Sequence, residues 1–147
     1  MTEERTTRPR FSADQAIEIA ERQFGVMARR ADPLPSDRDQ NFLLKDEAVE
    51  RRYVLKISKA GEDPGVLDLQ NRILEHLARA GFPTSNVLFA EDGKEVATAV
   101  DESGDAFQVR LLTWIPGSRL CDIRPHSPHL LTSLGAFLGG MDRALED

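Results

Sequence analysis

The segment Arg52-Tyr53-Val54-Leu55-Lys56-Ile57-Ser58 constrains this chain more than any other. Its aromatic and β-branched residues alternate with period two, which predicts a β-strand. Tyr53, Leu55 and Ile57 then share one face, and Val54, Lys56 and Ser58 share the other. Lys56 breaks the apolar pattern. An ammonium inside such a strand is costly unless it is paired or grips an anion. The plain alternative is an edge-strand lysine whose stem lies on apolar surface while its head reaches water.

The rest of the chain can be arranged around that strand. Residues 1–10 are polar and charged and predict a disordered arm. Ser12 and Gln15 form a capping-box pattern, with Phe11 placed as a staple. Ala16, Ile17, Ala20 and Phe24 follow at helical spacing, and Gly25 suits the helix end. A strand is expected over residues 26–31. Asp32-Pro33-Leu34-Pro35-Ser36-Asp37, with two prolines, reads as a turn or loop. A second strand is expected over residues 41–45, directly before the central one.

After Lys56, Asp63 and Pro64 read as a cap and first residue of a helix that runs to Ala80 and stops at Gly81. Val66, Leu67, Ile73, Leu74 and Leu77 form its apolar stripe, with Gln70 in the middle, where a buried amide needs partners. A short strand over 87–90, an Asp92-Gly93 hairpin signal and a strand over 96–100 come next. A turn at 101–105 leads to a strand over 107–114, which Pro116-Gly117 breaks. A last helix opens at Ser127-Pro128 and carries Leu131, Leu134, Phe137 and Leu138. Strands joined by short turns predict an antiparallel sheet of five to six strands in an α+β fold. The expected boundary near Pro116-Gly117 divides residues 11–116 from residues 117–147.

Composition narrows the function. A net charge of −6 over 147 residues argues against nucleic acid or an anionic membrane as a general partner. The single Cys121 excludes an intrachain disulfide. His126 and His129 have metal-like spacing but lack further ligands, so no metal site is expected. The chain has no apolar run of membrane length and no leader-like start, so a cytoplasmic protein is expected.

Three features stand in a fixed order: the loop 34–42 between two strands, the strand lysine followed by a helix, and a strand ending Leu111-Leu112-Thr113-Trp114-Ile115-Pro116-Gly117. Together they resemble the N-terminal lobe of the aminoglycoside-phosphotransferase and hydroxylysine-kinase-like superfamily. These are small-molecule kinases with a protein-kinase-like fold. The resemblance implies that Lys56 contacts the α- and β-phosphates of ATP and that Val54 lies over the adenine ring. It implies that the loop from Ser36 to Gln40 covers the phosphates, although it has no glycine. It makes Leu112 the gatekeeper, and Thr113, Trp114 and Ile115 the hinge whose backbone bonds adenine. Magnesium is expected with ATP, held by ligands in a C-terminal lobe.

Two departures accompany the resemblance. Gln70 stands where the family's helix carries a glutamate that pairs with the lysine. Such a pair at 4 Å and an effective dielectric near 20 is worth on the order of 4 kcal/mol before desolvation. A glutamine can accept from Lys56 without supplying charge. The His-Gly-Asp-type catalytic segment is also absent, so no catalytic residue can be named in this chain. The expectation is therefore an isolated lobe, completed by a C-terminal lobe or downstream domain. In this superfamily such lobes also precede pyridoxal-phosphate aminotransferase-like domains. The alternative is a degenerate lobe that serves as a binding or regulatory module, self-associating through the exposed face of the last helix.

Overall fold

The computed structural model describes residues 8–46 and 48–146. Its elements are α1 (Ala13–Phe24), β1 (Arg30–Leu34), β2 (Gln40–Asp46), β3 (Arg51–Ile57), α2 (Pro64–Arg79), β4 (Val87–Leu88), β5 (Ala97–Val100), β6 (Ala106–Thr113) and α3 (Pro128–Leu145). The strands form one six-stranded sheet in the order β1-β2-β3-β6-β4, with β5 also paired to β6. Every pairing is antiparallel. The α+β kinase-like lobe expected from the sequence is the fold observed. Most of the expected arm, residues 1–7, lies outside the described residues. At its end Pro9 is buried, and Arg8 donates to the Ser36 carbonyl at 2.7 Å.

Helix α1 forms where its cap dictates. The Ser12 hydroxyl accepts from the Gln15 amide, and the Gln15 side chain accepts from the Ser12 amide, closing the capping box. Gly25 ends the helix at φ 65°, a left-handed conformation that glycine adopts without a Cβ clash. The helix buries Ala16, Ala20 and Phe24 in the main core. That core includes Phe42, Leu44, Tyr53, Leu55, Ile57, Phe107, Val109 and Leu111, the alternate residues of β2, β3 and β6. Phe11 joins it with its ring edge-on to Phe107.

Two expectations change. The first strand lies over Arg30–Leu34, so Asp32, Pro33 and Leu34 are strand residues and not a turn. β1 is the sheet edge, where a proline interrupts no central ladder. The Asp92-Gly93 turn forms, with Gly93 donating to Ala90 and Ala90 to Lys94, but β4 and β5 do not form a hairpin with each other. Both lie along β6, which is long enough to pair Val87–Leu88 near one end and Ala97–Val100 near the other.

The second sheet face meets α2. This helix begins at Pro64 with Asp63 capping Gly65. Its buried residues are Leu67, Asn71 and Leu77, whereas Gln70 is exposed. The buried line keeps Leu67 and Leu77 of the expected stripe but is rolled part of a turn, so that Asn71 takes the inner place assigned to Gln70. α3, capped by Ser127 at Leu130, contacts α2 and buries none of its own residues.

Candidate functional site

Strand register builds the site on the face opposite the main core. Lys56 of β3 stands directly across from Asn41 of β2 on one side and Arg110 of β6 on the other. Val54, two residues earlier, stands between Leu43 and Leu112. The face therefore carries a polar row, Asn41-Lys56-Arg110, beside an apolar row, Leu43-Val54-Leu112. Two residues along a strand separate the rows by roughly 7 Å.

The loop containing Ser36 joins β1 to β2 at the polar end of this face. Asp39 in that loop accepts from the Lys59 amide at 3.1 Å, which ties the loop to the segment after β3. Thr113, Trp114 and Ile115 lie at the apolar end, since Tyr53 pairs with Thr113. From end to end the order is loop, cationic row, apolar row, chain exit.

At the exit two backbone donors are engaged. The Thr113 amide donates to Asn86, and the Trp114 amide donates to Arg52 at 3.1 Å. The Asn86 amide in turn donates to the Thr113 hydroxyl. Ile115, 46% exposed, has an amide with no partner among the described residues.

Lys56 is half-buried, and its ammonium donates to Asn41 Oδ1 over 3.4 Å. Burial pushes its pKa below the ordinary lysine value; the charge of Asp39 opposes that, and the charge of Arg110 adds to it. Arg110 is only 3% exposed. Its guanidinium donates to Asn71 at 2.7 Å and to Gln70 at 2.6 Å. Gln70 was expected as the partner of Lys56; its amide oxygen instead serves Arg110. The cause is the inward turn of Asn71, which leaves Gln70 at the rim of the guanidinium.

Sequence reasoning missed Arg110, although the signal was available. In Phe107-Gln108-Val109-Arg110-Leu111-Leu112, arginine is a charge inside a central strand, the same criterion that singled out Lys56. Among the described residues no group of three His, Cys, Asp or Glu side chains could hold a metal ion. No helix among them is long and apolar enough to cross a membrane.

A kinase-like amino-terminal lobe is the class that this sheet, the helix after β3 and the strand lysine define. Residues 30–147 match the APH family model, described as the phosphotransferase enzyme family, and the chain belongs to that family. It is 32% identical to hydroxylysine kinase of Mus musculus over 97% of this chain and 40% of that protein. Against hydroxylysine kinase of Bos taurus it is 34% identical over 95% of this chain and 40% of the relative. The fold is similar to that of an amicoumacin kinase solved in complex with AMP-PNP, Ca2+ and Ami. There the TM-score is 0.76 at 19% identity, covering 91% of this chain and 40% of the other. The chain thus spans about 40% of the length of the curated relatives it matches.

Proposed function

We propose that this chain is the ATP-binding lobe of a small-molecule phosphotransferase whose acceptor is an alcohol. The observation that carries this reading is the apolar row beside the cationic row on one sheet face. An adenine ring fits against Val54 and Leu112, and the phosphates reach toward Lys56. The Ile115 amide is the donor left for the base, because those of Thr113 and Trp114 are engaged. Ser36 and its loop lie at the phosphate end. Gln70 acts on this site through Arg110 and not through Lys56.

Magnesium accompanies ATP in such chemistry and neutralises phosphate charge. Its carboxylate ligands and the base for the acceptor belong to a C-terminal lobe in this reading. Supporting this, the relatives are longer than this chain, and α3 leaves Leu131, Leu138 and Leu145 exposed. That apolar face is where the rest of the enzyme would pack, within a cytoplasmic protein.

The test is isothermal titration of the 147-residue chain with ATP. Binding that Lys56→Ala weakens at least about tenfold is the expected outcome, since the ammonium supplies a charge-assisted contact. Equal affinity in the wild type and a folded variant would overturn the reading.

A further inference from the structure

We propose that Arg110 is a second phosphate-binding cation, which with Lys56 forms a two-cation seat for a polyphosphate group. The inference rests on the nucleotide-lobe reading and deepens it. Four observations lead to it.

Arg110 and Lys56 are directly paired across β6 and β3, so both project from the same sheet face. Like charges in that relation repel, and the arrangement persists at a cost unless something anionic joins it. No carboxylate comes within ion-pair distance of either group among the described residues. Asp39 and Glu62 act on Arg110 only through longer-range charge.

The guanidinium has hydrogen bonds but no counter-charge in contact with it among the described residues. Its partners, Gln70 and Asn71, are neutral amides. Its Nε is buried and finds no acceptor among the described residues. Buried charges are ordinarily paired; Nε itself is closed off, but Nη1 and Nη2 each make only one of these bonds, and their remaining N–H groups suit phosphate oxygens.

There is room for a ligand. A cleft of about 360 Å³ has mainly apolar walls, Ile73, Leu74 and Leu112, with Lys56, Gln70, Ser85 and Arg110 supplying its polar groups and no acidic side chain lining it. Position 70 completes the logic. A glutamate there would neutralise Arg110 from the rim, whereas the glutamine leaves the positive charge for the ligand.

Titrating the 147-residue chain with sodium tripolyphosphate, adenosine and ATP separates the cases. Arg110→Gln is expected to lower tripolyphosphate affinity about tenfold and leave adenosine affinity unchanged. Arg110→Lys should recover part of the loss. Gln70→Glu covers the case in which Arg110→Gln fails to fold: it keeps the arginine, adds a carboxylate at an exposed position, and should raise the melting temperature while weakening tripolyphosphate about tenfold. An arginine that only anchors α2 would give that thermal gain with no loss of affinity, and this result would overturn the inference. So would a wild type that binds adenosine but not tripolyphosphate, with the nucleotide reading left standing. A wild type that binds tripolyphosphate through both cations but neither adenosine nor ATP would keep the seat and overturn the nucleotide reading. No binding of any of the three would overturn both.

Discussion

Arg110 on β6 reaches across the sheet face to Gln70 on α2 with a 2.6 Å hydrogen bond, so the helix is tied to the strand beside the lysine and not to the lysine itself. Lys56 is left with one long contact, 3.4 Å to Asn41. Anchoring the helix and holding the free ammonium are thus divided between two strands.

The ammonium of Lys56 should be visible in the pH dependence of stability. Its pKa in the folded chain lies below the ordinary value of 10.5, burial being the main cause. Between the folded value and 10.5 the unfolded chain binds more protons, so stability should rise with pH through that window. Urea midpoints measured from neutral pH to about pH 10, set against Lys56→Met, check this. The variant should lose that rise and have a midpoint at neutral pH no lower than that of the wild type. A clearly lower midpoint with the rise intact would contradict it.

Asn71 is 3% exposed, accepts from Arg110 and donates to Glu95 over 3.4 Å. Asn71→Ala leaves a buried guanidinium N–H without its acceptor. Such a loss costs about 1–3 kcal/mol. Chemical denaturation should show that drop, with tripolyphosphate affinity retained because Arg110 and its charge remain.

Ile115→Pro removes the backbone donor, along with the half-covered Ile115 side chain and some freedom at Trp114. If that N–H holds the base, adenosine affinity should fall about tenfold while tripolyphosphate affinity stays within twofold. Parallel titrations decide it. A variant that still binds adenosine like the wild type would move the base contact elsewhere.

The exposed leucines of α3 predict concentration-dependent association of this chain alone. Leu131 and Leu138 are each 50% exposed. Light scattering across a tenfold concentration range should show growth in mean mass, and Leu131→Glu with Leu138→Glu should suppress it. A constant monomer mass in the wild type would count against an interaction surface there.

Much of the fold was legible because its signals are local. Ser12 with Gln15, Asp63 with Pro64 and Ser127 with Pro128 each mark a helix start by the hydrogen bond the cap must make. The alternation in Tyr53–Ile57 gave the buried face of β3 directly. Pairing is less legible, because it depends on residues far apart in the chain. Pro33 looked like a turn residue, and only its place at the sheet edge makes it acceptable in a strand. Asp92-Gly93 did form a turn, but nothing local says that the strands on either side go to a third partner. The partner of Gln70 depended on which way α2 rolls against the sheet. Neighbouring helix positions differ by about 100°, so a partial roll that keeps Leu67 and Leu77 inside is enough to bury Asn71 and leave Gln70 at the rim.

The joint use of β6 by β4 and β5 also governs how the sheet meets its surroundings. A sheet normally ends in strands whose free amide and carbonyl groups invite another chain to add on. Here one margin is broken into two short pieces of two and four residues, separated by the Ala90–Lys94 turn. The other margin carries Pro33 and the Asp32 carboxylate bonded to Lys45 at 3.2 Å. Neither presents a long, flat template. The lobe is therefore guarded against growing strand by strand into fibrils, and the contacts left open to it are those that side chains on its helices choose.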